Sequence, residues 1–276
     1  MSGTPGRQRS LVFPREHGAW GILLVPLITG TAVGLRGGNS GGSLAPLTIA
    51  VLAMFWLRTP LESWMGTVPT KARSRSEFEL VRRAALILSA IAVAALVWLF
   101  WGWRNLDLLW LGVIAATAFL GQATVRRIWR KARTAAQMIG AAGLTVVAPA
   151  AYYVVSGHLN NRAWLLWLLN LAFAANQIQF VQLRIRGAHA MSRTDKLTLG
   201  GSFIAAQFIL ITLLVTGCAV RLLTWYAATA FAPVLGRGFA WFSSTYRPLA
   251  IHALGKRELM HAMVFGVLLI LAFRLS

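Results

Sequence analysis

Residues 84–103 read AALILSAIAVAALVWLFWGW, a run of twenty residues without a single charge. At a rise of about 1.5 Å per residue, a helix of this length crosses the hydrocarbon core of a bilayer. This run is one of nine, which lie at approximately 18–35, 44–66, 84–103, 106–124, 134–156, 163–183, 200–222, 225–243 and 259–275. Because the runs lack barrel-type alternation and far exceed the roughly 10 residues of a barrel strand, they indicate helices. The sequence therefore predicts an all-α, polytopic membrane bundle of about nine transmembrane helices.

The composition favours a membrane protein over a soluble one. Hydrophobic residues make up 57% of the chain and charged residues 12%, whereas soluble domains carry about 25% charged residues. We predict a short, flexible and basic N-terminus at 1–13, followed by a single transmembrane domain at 14–276. Such a domain leaves no room for a second, soluble one.

The basic residues are divided unevenly between the loops. The N-terminus and the second, fourth, sixth and eighth loops carry twenty Lys and Arg residues, and the remaining loops and C-terminus carry five. Since Lys- and Arg-rich loops stay in the cytoplasm, we expect a cytoplasmic N-terminus and an outside C-terminus. The expected location is the inner (cytoplasmic) membrane, with membrane lipids as partners and no nucleic acid. The positive charge fits attraction to anionic headgroups, or a basic mouth for an anionic substrate.

The first helix opens with Pro14-Arg15-Glu16-His17-Gly18-Ala19-Trp20. One interpretation is a helix start with an interfacial Trp anchor, because an acid is favourable at a helix N-terminus. The other is a reactive site, because an acid and a titratable imidazole stand side by side. On the second interpretation Glu16 and His17 are candidate catalytic residues.

The second helix carries Arg58 and Glu62 near its cytoplasmic end. Residues four apart share one helix face, so the two side chains can form an ion pair. Charged residues at membrane depth cost about 2.5–3.5 kcal/mol each on insertion scales, and pairing reduces that cost. Either the pair is structural, or it is an electrostatic site in which Arg58 binds substrate and Glu62 is catalytic.

The sixth helix has an unusually polar cytoplasmic half. It carries Asn176, Gln177, Gln179, Gln182, Arg184 and Arg186. At helical spacing Asn176, Gln179 and Arg186 lie roughly on one side, with Gln182 close by. The amides can serve as interhelical hydrogen-bonding groups, or the set can line a polar pocket. We take Asn176, Gln179, Gln182 and Arg186 as candidate substrate-binding residues.

All the candidate residues fall near the cytoplasmic ends of their helices under the predicted topology. They are Glu16, His17, Arg58, Glu62, Asn176, Gln179, Gln182 and Arg186. We therefore expect a polar, basic cavity that opens at the cytoplasmic face.

The opening motif, residues 14–20, resembles the signature of the YwiC-like bacterial membrane proteins. The stretch Gly255-Lys256-Arg257-Glu258 before the last apolar run is similar to the end of that family. The resemblance spans most of the chain, although only the opening motif is specific. It implies no activity.

A more distant resemblance is to the UbiA-type intramembrane prenyltransferases, through the basic loop and Gly-rich helix at 126–157. That resemblance implies a nine-helix bundle with a site at the cytoplasmic face. In those enzymes Asp-rich motifs on the second and sixth helices hold Mg²⁺ and a prenyl diphosphate. Here the corresponding helices offer Arg58, Glu62 and Asn176 and no Asp, while Mg²⁺ normally requires carboxylates. We therefore expect no cofactor, and Mg²⁺ is not supported.

Three functions remain open from the sequence. The first is binding or modification of an amphipathic isoprenoid, a quinone-like lipid or another anionic lipid, without the usual Mg-diphosphate chemistry. If the protein is an enzyme, it would be a UbiA-like transferase with a non-standard site. The second is a small-anion transporter or permease, which the Pro-interrupted second helix favours. The third is a non-catalytic membrane assembly subunit.

Overall fold

The computed structural model describes residues 11–12, 17–35, 41–64, 72–103, 107–129, 132–189, 192–244 and 249–275. Within these ranges the backbone forms helices and no strand, which confirms the all-α prediction. The α-helices are α1 (His17–Gly34), α2 (Leu44–Trp64), α3 (Arg75–Trp103), α4 (Asp107–Ile128), α5 (Arg133–Thr145), α6 (Val147–Ser156), α7 (Asn161–Arg186), α8 (Arg193–Ala219), α9 (Trp225–Thr229), α10 (Ala232–Ser243) and α11 (Ile251–Leu275). Short 3-10 helices lie at Gly41–Ser43 and Gly187–His189.

Seven helical segments of the described chain are long and apolar enough to cross a membrane. They are Leu44–Trp64, Arg75–Trp101, Asp107–Ile128, Arg133–Ser156, Asn161–His189, Arg193–Ala219 and Ile251–Leu275. These segments mark the chain as a multi-pass membrane protein. The first predicted run forms a shorter apolar helix, Trp20–Gly34. The count of nine crossings and the orientation in the membrane stay predictions.

The eighth apolar run, 225–243, was predicted to be one span, but it forms two short helices, α9 and α10. The N–H of Ala227 donates to the Thr224 hydroxyl at the start of α9, and this helix lasts five residues. Pro233 stands in the first turn of α10, where a missing N–H is tolerated, but it cannot prolong a preceding helix. The twelve residues of α10 extend about 18 Å, short of a hydrocarbon core of about 30 Å.

The described chain divides into two compact units. The first comprises the described parts of Met1–Glu16 and Asn39–Leu106, and the second those of His17–Gly38 and Asp107–Ser276. In the first unit α2 packs along α3, and Leu11, Ala72 and Val81 form a small apolar cluster. The predicted single domain and flexible N-terminus stay predictions.

The second unit is built around α1, which packs against α6 and α11. In its core, Phe265 stacks on Phe173 at 4.2 Å and meets Phe231 edge-on at 5.0 Å between ring centroids. All three side chains are buried. This core fixes the mutual positions of α7 and α11. The same two helices carry the buried polar residues Asn176, Gln177 and Glu258.

Candidate functional site

The second unit contains a buried polar cluster on three helices, centred on Arg237 of α10. Arg237 donates from Nη1 to the Oε2 atom of Glu258 on α11, and the two form an ion pair. From Nη2 it donates to Oδ1 of Asn176 on α7 at 3.1 Å. The flat guanidinium also lies 4.1 Å from the ring centroid of Phe180, a cation–π arrangement. Its two Nη groups therefore join two neighbouring helices to α10.

A second contact joins α7 to α11 beside this ion pair. Nε2 of Gln177 donates to the backbone carbonyl of Glu258 at 3.0 Å. Gln177 and Glu258 are 3% and 1% exposed, so both are shielded from the surroundings. Within the described chain, Oε1 of Gln177, Oε1 of Glu258 and Nε of Arg237 are buried without a hydrogen-bond partner. The cluster therefore keeps both donor and acceptor capacity.

The cluster is recessed from the helix ends. Gln177 lies nine residues before the end of α7, and Glu258 lies seven residues after the start of α11. At 1.5 Å per residue these positions are about 13 Å and about 10 Å inside the helices. The C-terminal end of α7 and the N-terminal end of α11 are thus at the same end of the second unit.

Positive charge predominates around the cluster. Arg184 lies on the last turn of α7, at the same end of the second unit as Arg257 and Glu258 of α11. Its Nε atom is buried and has no hydrogen-bond partner among the described residues. Among the described residues, the acid that pairs with Arg237 is Glu258, through its Oε2. The arrangement can therefore accept an additional anion.

A buried lysine secures the helix that carries Arg237. Nζ of Lys196, on α8, donates to the backbone carbonyls of Trp241 at 3.2 Å and Ser244 at 2.6 Å. Lys196 is 4% exposed and lies over the Trp241 ring. A cation at a helix C-terminus meets carbonyls that have no helical partner and the negative end of the helix dipole. Lys196 thus satisfies the end of α10 and holds it on α8.

The predicted substrate-binding residues of α7 are divided between two neighbouring helices. Asn176 faces α10, whereas Gln182 donates from Nε2 to Oε1 of Gln137 on α5 at 3.0 Å. Arg186 also reaches α5, where its Nη2 donates to the Thr134 hydroxyl at 3.2 Å. Gln179 is half-buried. Their joint role in binding stays a prediction.

The predicted ion pair of the second apolar run is present in the first unit. Nε of Arg58 donates to Oε1 of Glu62 at 2.9 Å, and the side chains are 20% and 17% exposed. Glu16 lies outside the described residues, and so does the side chain of His17, although its backbone begins α1. The predicted chamber shared by all these residues stays a prediction.

Sequence reasoning missed Arg237 as a site residue and used Glu258 only as part of a terminal motif. A signal was present, because Arg237 is the one charge in the apolar run 225–243 and stands between Gly236 and Gly238. An ionisable residue within an apolar run is by default a functional candidate. Among the described residues, no group of three His, Cys, Asp or Glu comes together in a way that fits a metal ion.

Comparison with known proteins gives one match. The family described as YwiC-like protein matches residues 13–152, just over half of the chain. The match includes the opening motif and ends before Asn176, Arg237 and Glu258. No curated protein matches the chain, and no solved structure does, so the UbiA-type architecture stays a prediction. The chain belongs to the YwiC-like protein family.

Proposed function

We propose that this protein binds an anionic amphipathic lipid, of isoprenoid, quinone-like or other kind, at the Arg237 cluster. The observation that carries the proposal is the imbalance of charge around Glu258. Glu258 is paired with Arg237, while the half-buried Arg184 has a buried Nε that has no acceptor among the described residues.

The charge balance argues for an anion rather than for a purely structural pair. Burying an ion without compensation costs several kcal/mol, and one carboxylate compensates one arginine. Glu258 compensates Arg237, and the buried Nε of Arg184 lacks an acceptor among the described residues. Arginine binds carboxylate and phosphate well without a metal, because its planar donors match their oxygens. An anionic headgroup would supply the acceptor that the Nε of Arg184 lacks.

The position of the cluster argues for an amphiphile. It lies about 10–13 Å from the nearer ends of α7 and α11, as estimated from the helical rise, and next to the apolar remainder of both helices. A small hydrophilic anion would lose its hydration at that depth, whereas a lipid can place its chain along apolar helix surface. Phe180, against which Arg237 packs, already supplies apolar surface at the cluster. Proton transfer by Glu16, His17 or Glu62 in a UbiA-like reaction stays a separate prediction.

The test is extraction of the full-length protein in mild detergent, followed by mass spectrometry of the lipids that co-purify. We expect one defined class of anionic lipid with the wild type, and its loss in Arg237→Gln and Arg184→Gln. Arg162→Gln is the matched control, because Arg162 is an exposed arginine at the opposite end of the same helix. Arg184→Gln is included in case Arg237→Gln fails to fold. It leaves the Arg237–Glu258 ion pair in place.

Two outcomes of this experiment would contradict the proposal. If the folded wild type released no anionic lipid, the cluster would be a structural network, as in an assembly subunit. If Arg162→Gln lost the lipid as fully as Arg184→Gln, the lipid would be held by overall positive charge instead of by the cluster.

A small-anion transporter is the second candidate, and the broken segment at 225–243 favours it. Discontinuous helices at membrane depth carry the substrate sites of many transporters. Arg237 lies on the second half of this segment, in α10. The measurement is anion efflux from proteoliposomes. Efflux abolished by Arg237→Gln and kept in Arg162→Gln would favour transport over lipid binding.

A further inference from the structure

We infer that the Arg237 cluster selects an anionic headgroup that also carries hydroxyl groups, with Gln177 and Glu258 accepting hydrogen bonds from them. The inference rests on the proposed lipid-binding function and concerns the ligand's chemistry. It starts from a difference between the unpartnered atoms of the cluster. Those of Arg184 and Arg237 are donors, whereas those of Gln177 and Glu258 are acceptors.

The two acceptors belong to residues that contact each other across α7 and α11, and both are buried. Gln177 binds the Glu258 backbone carbonyl through Nε2, which leaves its Oε1 available. Glu258 binds Arg237 through Oε2, which leaves its own Oε1 available. A buried acceptor without a donor loses its hydration and gains nothing in return. Both atoms can accept hydrogen bonds from a molecule that enters the site.

The neighbouring side chains do not supply those donors. Arg237 directs Nη1 to Glu258 Oε2 and Nη2 to Asn176 on another helix. The remaining Nε donor points to neither acceptor, because it too is unpartnered. The amide nitrogen of Gln177, Nε2, already donates to the Glu258 backbone carbonyl. The unpartnered donors and the unpartnered acceptors of the cluster therefore do not hydrogen-bond to each other. A ligand that offers an anionic oxygen and a hydroxyl satisfies both sets.

A hydroxyl fits this cluster better than an ammonium group. Glu258 alone would attract an ammonium, but its carboxylate is already paired with Arg237. An additional cation would be repelled by Arg184 and Arg237, whereas a neutral hydroxyl is not. The predicted ligand class is thus a phosphate- or carboxylate-bearing lipid with hydroxyl groups on its head.

Lipid binding to the delipidated full-length protein tests this inference. The probes are phosphatidylglycerol, phosphatidic acid and phosphatidylethanolamine with identical acyl chains, titrated in detergent and counted by native mass spectrometry. We expect the wild type to bind phosphatidylglycerol about tenfold more tightly than phosphatidic acid, the scale of one good hydrogen bond to a charged group. Gln177→Met should bring this ratio clearly below tenfold, because it removes one of the two acceptors.

Gln122→Met is the matched control. Gln122 is also a buried glutamine of the second unit, but it lies on α4 against Gly140 of α5. It should leave the ratio unchanged. An equal change in both variants would contradict a specific role for Gln177.

The wild-type measurement decides even if Gln177→Met fails to fold. Equal affinity for phosphatidylglycerol and phosphatidic acid would overturn the hydroxyl inference and leave the proposed function standing. If phosphatidylethanolamine bound most tightly, Glu258 would bind an ammonium group, and the hydroxyl inference would also be overturned. Binding of none of the three probes would likewise overturn the hydroxyl inference, whereas the proposed function fails only if no anionic lipid co-purifies with the folded protein.

Discussion

Arg237 and Glu258 depend on each other because the interior of a helical bundle tolerates neither charge alone. Their side chains are 10% and 2% exposed, and Asn176 and Phe180 hold the guanidinium in place. Removal of one partner from a buried pair leaves an uncompensated ion, which is usually worse than removal of both. This mutual dependence can therefore be measured by comparing the stability lost in each single variant with the stability lost in the double variant.

At this scale we predict that Arg237→Leu and Glu258→Leu each lower the free energy of unfolding by about 3–5 kcal/mol. The double variant should lose clearly less than the sum, because it leaves no unpaired charge. Unfolding by SDS titration, followed by tryptophan fluorescence, measures all three. Glu79→Gln serves as the control, since its partners Arg82 and Arg83 are exposed and it should cause no measurable change. Strictly additive losses would show that the two side chains act independently.

At the scale of elements, α1 approaches α6 too closely for side chains at the contact. A Cβ atom at Gly30 would overlap the carbonyl oxygen of Ala148, and one at Gly34 would lie 2.9 Å from that of Tyr152. Gly30 and Gly34 are four residues apart and form a GxxxG contact, in which small residues let helix backbones meet. The backbone of α6 is the obstacle, so no rotamer change relieves the clash.

Gly30→Ala should accordingly destabilise the second unit by about 1–3 kcal/mol, the usual cost of overpacking. Gly201→Ala provides the comparison, because a Cβ there meets nothing within 4 Å. In the interior of α8 that substitution should stabilise by up to about 1 kcal/mol through helix propensity. Thermal unfolding in detergent measures both variants. If Gly30→Ala melted at the wild-type temperature, the close approach of α1 and α6 would be wrong.

Across the second unit, helix ends rich in basic residues are brought to one side. Arg186 at the end of α7 contacts Thr134 at the start of α5. Lys196 at the start of α8 contacts Ser244 just beyond α10. The loop between α6 and α7, which contains His158, lies at the other end of α7. This distribution agrees with the loop charges from which the sequence predicts the orientation.

The orientation predicts opposite labelling of two single cysteines introduced into Cys218→Ser, which removes the buried native thiol. His158→Cys should react with a membrane-impermeant maleimide in intact cells, because this exposed position is expected outside. Arg193→Cys, also exposed, should react only after the membrane is opened. The reverse pattern would invert the predicted topology. Labelling of both in intact cells would contradict the separation of the two ends.

The helical, multi-pass character follows from the sequence alone, because the length of an apolar run is a local property. The Arg58–Glu62 pair was also predictable, since helix geometry places residues four apart side by side. The tertiary structure decided the cluster, in which Arg237 binds Asn176, 61 residues away, and Glu258, 21 residues away. It also directed Asn176 to α10 but Gln182 to α5. Such partners depend on how each helix is rotated and shifted against its neighbours, and the periodicity within one helix carries no information about that placement.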